Sequence, residues 1–211
     1  FIFNSTLSGN HADTGGGIHA SAQLYVVNST ISGNYANGNG GGINAERSGS
    51  YLYNTTIVDN DADHDQDQTG GIGGGIFASP GFRFVVFNSM IAGNTLGNVP
   101  VYSDCYGTLE AYGANLVAET SGCASTNAAL GLVDVGTIGP LQDNGGPTAT
   151  HALLAGSQAI DHAVASIGCV NDLGVQLTTD QRGATRPPGP SSACDVGAFE
   201  FGGSFPSPAI F

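Results

Sequence analysis

The chain has 211 residues, enough for one domain, and its make-up is skewed: 34 glycines, 10% charged residues, and 17 acids against four basic side chains, all arginine (Arg47, Arg83, Arg182, Arg186). A net charge of −13 excludes nucleic acid and anionic membrane surfaces as partners, because both select basic patches. No apolar run reaches the roughly 18 residues of a membrane span and no signal peptide is evident, so membrane insertion is not expected.

Phe1, Ile2 and Phe3 open the chain as a strand, without the atypical capping repeat that protects a solenoid's open edge. A seven-residue phrase then begins at Asn4 (NSTLSGN) and returns at Asn28 (NSTISGN), Asn54 (NTTIVDN) and Asn88 (NSMIAGN), with starts 24, 26 and 34 residues apart. A second phrase, Gly-Gly-Gly-Ile, comes after each of the first three copies and ends at Ile18, Ile43 and Ile76. Two phrases in fixed order at one period are a structural repeat, and the period fits either a leucine-rich horseshoe or a β-solenoid. Within the repeats there is no Leu-x-x-Leu-x-Leu frame and no stretch of more than ten residues free of Gly and Asn in which a helix could run. Short β-branched runs cornered by Gly and Asn predict an all-β parallel β-helix with two or three strands per coil.

Stacking the coils gives aliphatic columns at Ile2, Val26, Leu52, Val86 and at Leu7, Ile31, Ile57, Ile91, which predict the interior. The flanking columns Asn4, Asn28, Asn54, Asn88 and Asn10, Asn34, Asn60, Asn94 predict amide ladders hydrogen-bonded from coil to coil. By strand alternation two further columns point outward: Phe3, Val27, Tyr53, Phe87 and Phe1, Tyr25, Tyr51, Val85. So continuous an apolar stripe must be covered, by the chain's own C-terminal segment or by a neighbour.

Coil three carries an insertion between Asn60 and Gly73, with Asp61, Asp63, Asp65 and Asp67 at alternate positions and His64 among them. That pattern is either a solvated acidic loop or a calcium site of clustered oxygen ligands; the Gly and the bidentate Glu of a helix-loop-helix calcium loop are absent. No cofactor is required by the sequence, and calcium is the one cation it suggests. Glycosylation sequons at Asn4, Asn28 and Asn54 fall within the repeat strands.

Four cysteines, none in a Cys-x-x-Cys pair, lie in the second half. Neighbour pairing, Cys105 with Cys123 and Cys169 with Cys194, is the simplest framework, and it implies an oxidising compartment. The repeat loosens after Asn94, so coils are expected over 1–120, a capping region over 121–201 and a tail over 202–211. The cap is expected to pair Asp180, Arg182 and Arg186 with Asp161 and Glu200 where the solenoid ends.

The C-terminal motifs run in order: Gly139 to Pro147 (GPLQDNGGP), His151 to Asp161 (HALLAGSQAID), Thr179 to Arg186 (TDQRGATR) and Cys194 to Glu200 (CDVGAFE). With the repeats before them they resemble the bacterial right-handed parallel β-helix proteins of the polymorphic-outer-membrane-protein-like, choice-of-anchor type. The resemblance implies a pectin-lyase-like fold, a cell-surface location and no assigned activity. It departs at both ends, where the N-terminal capping segment and a C-terminal anchor or sorting motif are not found.

Three functions compete. A non-catalytic structural solenoid of the cell surface or matrix would assemble with copies of itself, the tail residues Phe205, Ile210 and Phe211 of one copy meeting Phe1, Ile2, Phe3 and the aromatic stripe of the next in a head-to-tail filament. A glycan-binding adhesin would bind surface glycans or another cell. A polysaccharide lyase or hydrolase needs a base or paired carboxylates at one bond, and the strands show few acids and only Arg47 and Arg83 as cations. The structural reading ranks first, with no catalytic residues assigned.

Overall fold

A computed structural model describes residues 1–47, 49–65, 71–97, 99–128, 130–163, 168–187 and 193–206, with backbone alone for 99–102. The strands stack in parallel as the columns predict, into a parallel β-helix, and the register pairs Ile2 with Val26, Val26 with Leu52, and Leu52 with Val86. Each full coil has four strands rather than two or three. Coil two, for instance, runs Leu24–Val27, Thr30–Ser32, Tyr35–Ala36 and Ile43–Ala45, one strand on each of four faces. The two extra corners are the Asn-plus-Gly phrases, whose strands are only two or three residues long.

The corners arise from backbone chemistry. Asn4, Asn28, Asn54 and Asn88 all sit in the left-handed region, with φ between 45° and 51°, where Asn is among the few non-glycine residues tolerated. At the Gly-Gly-Gly corner a Cβ on Gly41 would stand 2.4 Å from Asp61 O of the next coil, so only glycine lets the coils approach. The bore is filled by Val26, Ile31, Ile43, Leu52, Ile57, Ile76, Val86 and Ile91, all fully buried. Burying side chains of this size stabilises by about 2 kcal/mol each.

Coil stacking continues past residue 120: Cys123–Thr126 pairs with Gly107 to Glu110, and Gly131–Leu132 pairs with Leu116 and Val117. The boundary therefore falls near residue 132, because the Cys105–Cys123 disulfide staples the last coil to the one before it. On the third face Val99–Tyr102 turns back antiparallel to Thr95–Leu96 and blunts that edge. At the opposite end the first coil pairs on one side only, and Phe1 is 88% exposed.

The segment C-terminal to Leu132 does not cap the end of the solenoid. It lies along its flank, reaching Thr6 in coil one (Thr6 Oγ1 to Ala149 O), Thr30 in coil two (to Gln181 Oε1, 2.7 Å), Thr56 in coil three (from Ala198 N, 2.9 Å) and Asn88 in coil four (to Gly168 O, 2.9 Å). This lateral clasp has its own core of Val27, Val58, Met90, Leu116, Leu153, Cys169, Cys194, Val196 and Phe199. It includes one antiparallel hairpin, Ile138–Gln142 with Thr150–Leu153, and the second disulfide, Cys169–Cys194, with a Cα separation of 6.2 Å. Both cysteine pairs are as expected. A clasp covers the flank and a cap would not, because Thr30, Ser32 and Thr56, outward hydroxyls on the second face, find their partners in it.

Candidate functional site

Three places gather chemistry. The first is the clasp's charged centre. Arg182 Nε and Nη2 donate to Asp180 Oδ2 at 2.8 and 2.7 Å, its Nη1 to Asn144 O, and its guanidinium lies 3.6 Å over the Phe199 ring. Arg186, with its side chain wholly buried, donates to Glu200 Oε2 at 2.8 Å, Gly197 O at 2.7 Å and Asn28 Oδ1 at 3.2 Å. Burial pushes the Glu200 carboxyl up to about 7 against the pull of Arg186, and raises Asp195 for the same reason.

Ligand oxygens of Asp161, Asp195 and Glu200 lie within 4.8 Å of one another, a spacing a retaining glycosidase or a metal site could use. Asp195 accepts from the backbone N–H groups of Asp161 and Phe201, Glu200 accepts from Arg186 and Asp195 N, and both acids are buried. Asp161 stays exposed and unpaired with the arginines, contrary to expectation. A cleft of about 450 Å³ opens beside Glu200, lined also by Thr178, Thr185 and Phe201.

The second place is the aromatic stripe, which the structure splits in two. Val27 is buried under the clasp, Tyr53 packs against it, and Phe87 is buried beside Tyr53 with ring centroids 5.8 Å apart, so these three do not form an open self-association surface. The other column is open in part: Val85 is buried, while Phe1, Tyr25 and Tyr51 stack face to face at 4.5 and 4.7 Å, Arg83 lies 5.5 Å over Tyr51, and Arg83 pairs with Glu110 at 2.8 Å. Since each ring covers its neighbour's face, the row presents ring edges to solvent, with Phe1 offering the one uncovered face. Phe205 is held by its own clasp, against Gly145 and 5.7 Å from Arg182, rather than extended towards another copy. Ile210 and Phe211 lie outside the described residues.

The third place is the insertion in coil three. Asp61 is no loop residue: Asp61–Ala62 is a buried strand paired with Tyr35 and Thr95. Deleting 61–68 would therefore remove a strand of the third face, not an idle loop. Asp61 Oδ1 accepts from Thr95 Oγ1 and Oδ2 from His64 Nδ1, both at 2.8 Å. Asp63 sits at a left-handed turn, Asp65 is exposed, and Asp67 lies outside the described residues. Among the described residues these acids do not converge as a calcium cage would require. The sequons at Asn28 and Asn54 are buried, which closes them to glycosylation once folded.

The second asparagine column is a continuous ladder: Asn10, Asn34, Asn60 and Asn94 each donate Nδ2 to the next oxygen at 2.8 to 2.9 Å, and the last donates to Asp104. The first column is not. Only Asn28 reaches its neighbour, Asn4, whereas Asn28, Asn54 and Asn88 donate to Thr179 O, Val170 O and Gly168 O of the clasp. Sequence reasoning missed Asp104, Gln181 and His151. Asp104 stands 10 residues after Asn94 and takes the position of a fifth Asn, a substitution visible in the letters. His151, buried, accepts Ser32 Oγ at Nε2 and donates Nδ1 to Gly139 O, and nothing in its motif foretells that partner.

No family model, curated protein or solved structure matches this chain. No helix among the described residues is long and apolar enough to cross a membrane, and the two disulfides point to an oxidising compartment.

Proposed function

We propose that the chain is a non-catalytic extracellular structural β-solenoid that associates end to end with copies of itself by coil stacking. One observation carries this reading. The coils add to one another by parallel strand pairing on four faces, and the clasp lies along the flank rather than across the stacking direction. Open edges with apolar neighbours are templates for strand addition. A coil of another copy offers parallel edges of the same kind on the first and second faces, and a heterologous contact of that sort propagates.

The rival readings find less support. Glycan stacking needs open ring faces, and the exposed row offers edges. Hydrolysis needs accessible paired carboxylates, and of the three close acids of the clasp Asp195 and Glu200 are buried and bonded while Asp161 alone is exposed. Multi-angle light scattering of the 211-residue chain against concentration tests the reading: mass should grow in steps beyond the dimer, Ile2→Lys should stop it, and removal of residues 202–211 should not. A monomer at every concentration overturns it, as does product release from a panel of uronate and neutral polysaccharides.

A further inference from the structure

The third face carries a site of a different kind. Its register sets His11, Tyr35, Asp61 and Thr95 in one outward column. His64 returns to the same spot through the left-handed turn at Asp63, anchored by its backbone N–H to Ala36 O at 3.0 Å. Its ring lies 4.7 Å from the Tyr35 ring and 5.8 Å from that of His11.

Each imidazole has one nitrogen committed to an oxygen that carries no proton. His64 Nδ1 faces Asp61 Oδ2 at 2.8 Å, and His11 Nε2 faces Asn37 Oδ1 at 2.9 Å. With His64 Nδ1 and His11 Nε2 as the donors in those contacts, the lone pairs fall on His64 Nε2 and His11 Nδ1. A carboxylate behind one ring and an amide carbonyl behind the other is the outer-shell arrangement that orients imidazoles for a metal. Both rings reach solvent, His64 with 34% of its side chain exposed.

We propose that His11 and His64 form a two-imidazole site for a borderline divalent transition metal of the Zn²⁺, Ni²⁺, Cu²⁺ class, with water completing the coordination. Nitrogen donors suit that class and not calcium, so the acidic insertion contributes an orienting carboxylate rather than a hard-cation cage.

Zinc titrated calorimetrically into the chelator-dialysed 211-residue chain should bind at one equivalent. His11→Ala and His64→Ala should each weaken it at least tenfold, while His19→Ala, whose ring lies 3.7 Å from Glu46, should leave it unchanged. In long-range ¹H–¹⁵N spectra of the unaltered chain, His64 Nε2 and His11 Nδ1 should shift on zinc addition. Those spectra decide the matter even where a variant fails to fold. Absence of saturable binding below millimolar zinc, equal binding by the double variant, or unmoved His11 and His64 resonances would overturn the site.

Discussion

The two asparagine columns come from one seven-residue phrase and run side by side, yet they hold different things together. Asn60 is enclosed by its own kind: its Oδ1 accepts from Asn34 N and Nδ2, and its Nδ2 donates to Asn94 Oδ1, Ile31 O and Val58 O. Asn54, six residues earlier, turns a corner at φ 48° and spends its Nδ2 on Val170 O of the clasp. Repetition supplies the partners of Asn60, while a sequence that occurs once supplies the partner of Asn54. Stability inside the solenoid therefore depends on neighbours being alike, and stability of the clasp depends on particular residues meeting.

The sharpest way to break the clasp side of this contrast is Arg186→Met. It strands Glu200 as a buried, uncompensated acid and should cost about 3–5 kcal/mol in urea unfolding. Asn60→Ala should come next at about 3 kcal/mol, since it orphans buried groups in coils on both sides. Asn54→Gly keeps the left-handed corner and loses one donated bond, so about 1 kcal/mol is expected from the same measurement.

Acidity separates the regions further. Glu200, raised to about 7, holds its proton more firmly folded than unfolded. Its contribution is fully present below its ordinary value of 4.5 and is lost as pH rises through about 7. Asp104, raised to about 6 by burial at the ladder's end, acts in the same direction somewhat lower. The melting temperature should therefore fall as pH rises from 4.5 to about 7, and Glu200→Gln should flatten the upper part of that fall. The smallest effect is reserved for the exposed stack: Tyr25→Ser should cost about 1 kcal/mol or less in the same unfolding assay.

Much of the solenoid was legible in the letters, because a repeat states each inward position several times over. Four aligned copies expose Ile31, Ile57 and Ile91 as one column, and the structure pairs them so. The clasp was not legible in the same way. Thr30 and Thr56 read as outward, solvent-facing hydroxyls because alternation shows which face a side chain is on and not what lies over that face. Their partners, Gln181 and Ala198, are 151 and 142 residues away and occur once each. The pairing of Arg182 and Arg186 with carboxylates was foreseeable from scarcity, since few cations stand among many acids in a stretch without repeats. Asp61 misled for the converse reason: an acid in an acidic run reads as loop, and strand pairing to Tyr35 overrode its composition.

The ladder that ends on Asp104 has a direction. Asn34, Asn60 and Asn94 each both give and receive, so any of these rungs can stand next to any other, but Asp104 receives only and its second oxygen is taken by Glu119 N. A gene that duplicated the stretch 28–53 would insert one more coil whose Asn finds a giver on one side and a receiver on the other. Duplication beyond Asp104 would find no giver at all. The length of the ladder is thus a variable that copying can tune one coil at a time, while its stop is written once, in a single carboxylate.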